Sequence, residues 1–226
     1  RDGFIYHEML AHVPLFSLDA PREVLIIGGG DGGCLEEVLK HPVDRVTMIE
    51  LDRQGVDLAQ AHLGMICGAA FDDPRTELRI EDGAKFLAET NRRFDLIIID
   101  STDPIGPGVV LFNPEFYANC RRCLLPTGIL ATQNGVPFIQ AEELTASATA
   151  FKDLFKYPRF CFAAVPTYMG GVMAFGCASD STDAGAIPLE TLRARQQQLA
   201  LDLSYYSAEV HLGAFAMPPY LQALMP

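Results

Sequence analysis

An α/β architecture built on a mostly parallel sheet is what this 226-residue sequence predicts, on three observations. Short apolar runs alternate with stretches of helical periodicity, the first run empties into a glycine-rich loop, and beyond residue 155 the alternation gives way to two closely spaced strand-like runs. The first five runs are Val24–Ile27, Arg45–Ile49, Glu77–Ile80, Phe94–Ile99 and Gly128–Thr132. Helical spacing of apolar residues falls between and after them, at about 33–41, 53–63, 83–90, 113–125 and 139–155. Alternation at these lengths implies βαβ units and a sheet covered on both faces. Arg159–Val165 and Val172–Ala178 are joined only by Pro166 to Gly171, too short a link for a helical crossover, so they predict an antiparallel hairpin at the sheet edge.

A mostly parallel seven-stranded sheet with a C-terminal antiparallel hairpin is the layout of a Rossmann-like methyltransferase fold. The length fits one domain with a sizeable core, and residues 1–226 are read as a single catalytic domain. No stretch approaches the ~18 apolar residues of a membrane helix, and Arg1-Asp2-Gly3 lacks the layout of a signal peptide, so a cytoplasmic protein is expected. Arg1 in place of Met suggests a piece of a longer chain. Lys and Arg number 17 against 29 Asp and Glu, a net charge of −12 that repels phosphate backbones and anionic lipid and favours a small cationic ligand over nucleic acid or membrane. Six scattered cysteines suit reduced thiols. Cys120 and Cys123 form a C-x-x-C on a helical pattern without a second ligand pair, which reads as helix packing rather than a metal site.

In an open α/β sheet ligands bind beyond the carboxyl ends of the strands, near the point where strand order reverses. Here those ends are acidic. The first strand runs into Gly28-Gly29-Gly30-Asp31-Gly32-Gly33, where Gly28, Gly30 and Gly33 satisfy G-x-G-x-x-G, and Glu50 closes the next strand at the spacing of a ribose-binding acid. Dinucleotide and adenosyl-sulfonium sites share this pattern. Asp31 separates them: it would repel a pyrophosphate and attract a sulfonium or ammonium, unless it serves only as a helix cap. Asp82-Gly83 follows the third strand, placed for an adenine amino group. Asp100-Ser101-Thr102-Asp103 closes the fourth and leads into a Pro- and Gly-rich loop. Packing Asp31, Glu50, Asp82, Asp100 and Asp103 on one rim without a positive partner would raise their pKa values, so a cationic ligand is expected there.

Phe4-Ile5-Tyr6-His7-Glu8-Met9, the glycine loop at 28–33, Met48-Ile49-Glu50-Leu51-Asp52, Phe71-Asp72-Asp73-Pro74-Arg75, Asp82-Gly83-Ala84, Asp100 through Pro107, and Pro166-Thr167-Tyr168 resemble the polyamine aminopropyltransferases, bacterial spermidine synthases above all. The resemblance implies transfer of an aminopropyl group from decarboxylated S-adenosylmethionine to putrescine, leaving 5′-methylthioadenosine. The donor is a co-substrate, and neither cofactor nor metal is implied. It further implies Asp100 as catalytic base. Tyr6, His7, Asp31, Asp103 and Tyr168 would hold the polyamine, and Gly28, Gly30, Glu50, Asp82, Gly83 and Pro107 the nucleoside. The family carries an N-terminal β-strand domain that supplies a glutamine to the donor site and much of a homodimer contact, and this chain begins after it. Many members have Trp where Met173 stands, which bears on the width of the acceptor pocket.

The competing readings are a small-molecule methyltransferase, an NAD-dependent oxidoreductase, which Asp31 and the closing hairpin disfavour, and a polyamine or nucleoside binding module. His12, His41, His62 and His211 lack metal-like spacing and read as surface or structural residues. Phe112, Phe116 and Tyr117 read as core. The tail from Tyr205-Tyr206 through Pro218-Pro219-Tyr220 reads as packing against the sheet or a partner subunit.

Overall fold

The computed structural model describes residues 2–102 and 106–226. Its strands are β1 (Glu23–Gly28), β2 (Arg45–Glu50), β3 (Thr76–Ile80), β4 (Phe94–Asp100), β5 (Leu124–Gln133), β6 (Tyr157–Ala164) and β7 (Val172–Ser179). The helices are α1 (Gly3–Ser17), α2 (Gly33–Leu39), α3 (Arg53–His62), α4 (Gly64–Cys67), α5 (Gly83–Glu89), α6 (Pro114–Cys123), α7 (Ala141–Leu154), α8 (Leu189–Leu199), α9 (Ala208–Ala214) and α10 (Pro219–Gln222). The strands form one sheet in the order β3-β2-β1-β4-β5-β7-β6. β1 to β5 run parallel, and β7 joins β5 antiparallel with β6 outside it, the edge hairpin the sequence predicts. Order reverses between β1 and β4, whose register brings Gly28 opposite Asp100.

Both faces of the central strands are covered. Val24, Ile26, Leu96 and Ile98 pack with α1 and α2 on one side; Leu25, Ile27, Ile97 and Ile99 pack with Phe86, Phe116, Tyr117 and Phe151 on the other. That is why these strands are continuous apolar runs instead of alternating ones. Cys120 and Cys123 are free, buried thiols on α6, packing against the same core.

Three boundaries differ from the sequence expectation. Residues 3–17 carry no amphipathic stripe, yet they form α1, because the helix is buried on every side from Ile5 to Ser17 and needs no polar face. β5 starts at Leu124 instead of Gly128: α6 ends at Cys123 and the chain turns straight into the sheet, through a bulge opposite Phe94–Leu96 that lets Pro126 sit in the strand. The segment after residue 188, left without elements by its sequence pattern, forms α8 and α9 on the α1 side and α10 against the opposite core.

α1 is fixed to the C-terminal segment by one buried carboxylate. Glu8 accepts hydrogen bonds from the backbone N–H groups of Ser204, Tyr205 and Tyr206 at 2.8, 2.9 and 2.7 Å. Tyr206 then stacks on Phe16, and its hydroxyl meets His211 Nδ1 at 2.9 Å. The tail thus packs within this chain at Tyr206, whereas Tyr220 is exposed. Of the four histidines other than His7, His62 lies at the surface and three are structural: His12 bridges His41 at 2.8 Å and Glu37 at 2.9 Å, and His211 meets the Ala184 carbonyl at 2.9 Å. Burial pushes His12 and His41 down to about 3, so both are neutral in the fold.

Replacing Glu8 with Ala leaves three N–H groups without their acceptor, that of Tyr206 buried, and is expected to cost about 2 kcal/mol in urea unfolding. Because His12 and His41 take up protons only when the chain unfolds, their contribution is complete above pH ~6.5 and is lost as pH falls toward 3. The urea midpoint is expected to drop steadily below pH ~6.5, with a shallower slope in His12→Gln.

Candidate active site

A cavity of about 840 Å³ opens beyond the carboxyl ends of β1, β2, β3 and β4, and the first turns of α1 and the link between β6 and β7 close its other side. Every predicted site residue whose side chain is described lines it: Tyr6, His7, Gly28, Gly30, Asp31, Glu50, Asp82, Gly83, Asp100 and Tyr168. Asp103 and the side chain of Pro107 lie outside the described residues. Ile27, Ile49, Ile66 and Leu111 add apolar walls, the surface a purine face would need.

The glycine loop is shaped by what it must avoid. Gly29 has φ +72°, donates its N–H to the Asp100 carbonyl at 2.8 Å, and a Cβ there would sit 2.7 Å from Asp100 Oδ2. A Cβ on Gly33 would lie 2.2 Å from the His7 ring. The motif therefore lets α1 and β4 come together as much as it lets a ligand approach. Asp31 Oδ1 accepts from the Gly33 N–H at 2.9 Å at the start of α2, close to the capping role considered for it, and Oδ2 meets His7 Nε2 at 3.3 Å, a partner the sequence reading did not assign.

Glu50 turns one oxygen back to the Leu51 and Asp52 N–H groups at 2.8 and 3.0 Å, which fixes the plane of its carboxylate. The other oxygen faces Gly30 and the cavity, in position to accept from a diol. Asp82 is the N-cap of α5, accepting from Ala84 and Lys85 at 2.8 and 3.1 Å through Oδ1. Gly83 is required by packing as well, since a Cβ would lie 2.5 Å from Ile27 Cγ2.

Asp100 ends β4 on the cavity floor, where Tyr6 Oη donates to its Oδ1 at 2.5 Å. Burial, with repulsion from Asp31 and Glu50, pushes Asp100 up to about 6 against the opposing Tyr6 hydrogen bond and His7 charge. Tyr6 is itself pushed well above its usual range by burial and by Asp100, so it stays a donor. Asp31 departs from the expectation that all these acids would be raised. Burial raises it, but the His7 hydrogen bond and charge outweigh burial and leave it below the usual carboxylate range. His7 is correspondingly raised despite its burial, through Asp31 first and Asp100 next.

Two polar residues escape a reading centred on acids. Gln133, the last residue of β5, lines the cavity, with Nε2 on the Ser101 carbonyl at 3.1 Å and Oε1 accepting from the Gly135 N–H at 2.6 Å. The strand-end rule would have found it had it been applied to the fifth strand. Ser101 also lines the cavity, and its buried hydroxyl has no hydrogen-bond partner among the described residues. No Lys or Arg occurs among the described residues lining the cavity, and Asp2, Asp52 and Glu81 join the acids already named. No group of three or more His, Cys, Asp or Glu among the described residues is arranged to hold a metal ion.

A cavity at the switch point of a mostly parallel seven-stranded sheet that ends in an antiparallel hairpin defines a Rossmann-like protein with a methyltransferase-like sheet. A spermine/spermidine synthase domain model matches residues 3–186. The chain belongs to the spermine/spermidine synthase family. It is 54% identical to polyamine aminopropyltransferase 1 of Pseudomonas aeruginosa over 99% of this chain and 79% of that protein, and 52% identical to the polyamine aminopropyltransferase of a Ruegeria species over 100% and 80%. The fold superimposes on a spermidine synthase crystallised with the transition-state analogue AdoDATO at a TM-score of 0.92, with 36% identity, over 98% of this chain and 75% of that one. Spermidine synthase from Thermotoga maritima gives a TM-score of 0.89 at 34% identity, over 98% and 74%.

Gly29→Ala forces a left-handed residue against Asp100 and is expected to cost about 1–3 kcal/mol in urea unfolding.

Proposed function

We propose that the protein transfers the aminopropyl group of decarboxylated S-adenosylmethionine to putrescine, giving spermidine and 5′-methylthioadenosine. The observation that carries this reading is the charge of the cavity: seven carboxylates line it among the described residues, with His7 the one basic side chain. Such a site suits a sulfonium and a diamine together. It does not suit the carboxylate of intact S-adenosylmethionine, which a methyltransferase must hold. The relatives' names support the same class.

In this reading Glu50 accepts from the ribose hydroxyls and Asp82 from the adenine amino group, while the apolar walls take the base. A primary amine of the diamine attacks the methylene carbon next to sulfur; the new N–C bond forms as the C–S bond breaks, and the electron pair leaves on a neutral thioether. No acid is needed for departure. The difficulty lies with the nucleophile: an amine of pKa ~10.4 is unprotonated in about one molecule in 10³ at pH 7, a deficit of roughly 4–5 kcal/mol. Asp100, raised to about 6, is a better proton acceptor than an ordinary Asp, and desolvation of the ammonium beside it moves the pair toward neutral acid and free amine. The Tyr6 hydrogen bond fixes the Asp100 carboxylate plane, and Asp31, Tyr168 and Asp103 are the groups proposed to hold the remainder of the acceptor.

Mass spectrometry of the product formed from decarboxylated S-adenosylmethionine with putrescine, cadaverine or spermidine decides the reaction and the acceptor. Methyl transfer from intact S-adenosylmethionine, or no turnover with any amine, would overturn the proposal. Asp100→Asn is expected to lose about 10²–10⁴ in kcat while 5′-methylthioadenosine binds within about twofold of wild type. Wild-type kcat/KM should climb with pH through about 6 as Asp100 ionises, until amine ionisation takes over the profile. The same substitution should raise stability at pH 7 by about 2 kcal/mol, because an Asp whose pKa is raised in the fold opposes folding above that pKa, and water in the cavity reduces the full effect.

A further inference from the structure

Asp2 stands at the N-cap position of α1, where an Asp ordinarily accepts from the first turn of its own helix. Its side chain makes no such bond. Instead both carboxylate oxygens reach Thr167, 165 residues away: the Thr167 N–H donates to Oδ2 at 2.6 Å and the Thr167 hydroxyl to Oδ1 and Oδ2 at 2.6 and 2.7 Å. These donors hold the Asp2 carboxyl below its usual range, so the acceptor stays charged through neutral pH.

The joined segments both belong to the cavity wall. Asp2 and Gly3 enter α1 one turn before Tyr6, and Thr167 precedes Tyr168 in the link between β6 and β7. The Tyr168 ring lies 6.1 Å from that of Tyr6, which in turn holds Asp100. On its far side the link ends in Gly170 and Gly171 at φ +117° and +123°, a backbone region that non-glycine residues rarely enter, and Met169 is exposed. The link thus carries a glycine pair at one end and the tie to Asp2 at the other, beside Tyr168.

We propose that Asp2 and Thr167 form a latch that holds the link Pro166–Gly171, and Tyr168 with it, over the amine end of the cavity, making both of them positioning residues for the acceptor. The proposal rests on the aminopropyl-transfer reading of this cavity. The latch stands beside the acceptor, away from Glu50 and Asp82, so its loss acts on one substrate and spares the other. Since Asp2 gives α1 no capping bond, Asp2→Ala removes the latch without removing a cap.

Steady-state kinetics on Asp2→Ala, Thr167→Val and the double variant test it, with decarboxylated S-adenosylmethionine and putrescine each varied in turn. The diamine KM is expected to rise about tenfold in Asp2→Ala, the size of a lost hydrogen bond to a charged group, and by less in Thr167→Val, which keeps the backbone N–H bond to Asp2, with the donor KM and kcat within about twofold of wild type. The double variant should be no worse than Asp2→Ala alone, because that substitution already removes every bond of the latch. An unchanged diamine KM, an equal rise in both KM values, or additive losses would overturn the proposal. Hydrogen exchange of the Thr167 and Tyr168 amides in the free protein judges the latch without turnover: faster exchange in Asp2→Ala is expected, and unaltered exchange would refute it, even if one variant fails to fold and only Thr167→Val can be read. Absence of amine transfer by the wild-type protein would instead strike the functional reading, whatever the exchange result.

Discussion

The hydrogen bond from Tyr6 to Asp100 is the contact around which the rest of the molecule is arranged. It joins a helix that covers the sheet to the end of the central strand, across 94 positions of sequence, and does so at the place where strand order reverses. For the two groups to meet, α1 must lie on β4 and β5, which requires that it be buried on all sides and that no side chain project from Gly29 or Gly33. The same approach confines a carboxylate in a poorly solvated corner and raises its pKa, the property a proton acceptor for an amine needs. Packing and chemistry thus share one cause.

The negative charge of the protein acquires meaning by position. Away from the cavity, acids are paired: Asp73 with Arg75 at 2.8 Å, Glu77 with Arg92 at 3.0 Å, Glu209 with Arg193 at 2.7 Å, and Asp183 with Arg159. Exposed pairs of this kind contribute little to stability. Inside the cavity the compensation is different, since His7 is the one basic group among its described lining residues and already serves Asp31. Of the remaining acids, Glu50 and Asp82 rely on backbone N–H groups, Asp100 on a phenol and Asp2 on Thr167, while Glu81 pairs with Arg79 from outside the lining. Dipoles of this sort orient a carboxylate without cancelling its charge, so the field persists for a cationic ligand.

What could be read from the sequence follows from the range of the signals. The parallel strands, their apolar runs and the edge hairpin depend on local pattern, and they fall where Val24–Ile27 through Val172–Ala178 predict them. The strand-end residues Gly28, Asp31, Glu50, Asp82 and Asp100 were legible because the topology of such sheets sends them to one rim. α1 was not, since a helix buried on every face has no periodicity to show, and its Pro14 argues locally against it. Nor were the roles of Glu8, His12 and His41, which depend on partners at residues 204–206, 37 and one another, and no spacing rule links them. Gln133 belongs to a third kind: its position was legible, but its neutral side chain did not fit a search for charge.

The two ends of the cavity consequently differ in how they are specified. The end proposed for the nucleoside is built from short sequence blocks in which a turn, a glycine and an acid lie within a few residues, as in Asp82-Gly83 or Glu50 with its two succeeding N–H groups. Its geometry survives wherever the strand and its turn survive. The end proposed for the amine is assembled from α1, the end of β4 and the link after β6, three segments that meet only through tertiary contacts such as Tyr6 with Tyr168 and Tyr6 with Asp100. Small shifts of any one change the distance between its polar groups, and a diamine is recognised by little else than the spacing of its two nitrogens. Reaction class is therefore written in local motifs, whereas acceptor choice is a property of how those three segments are held.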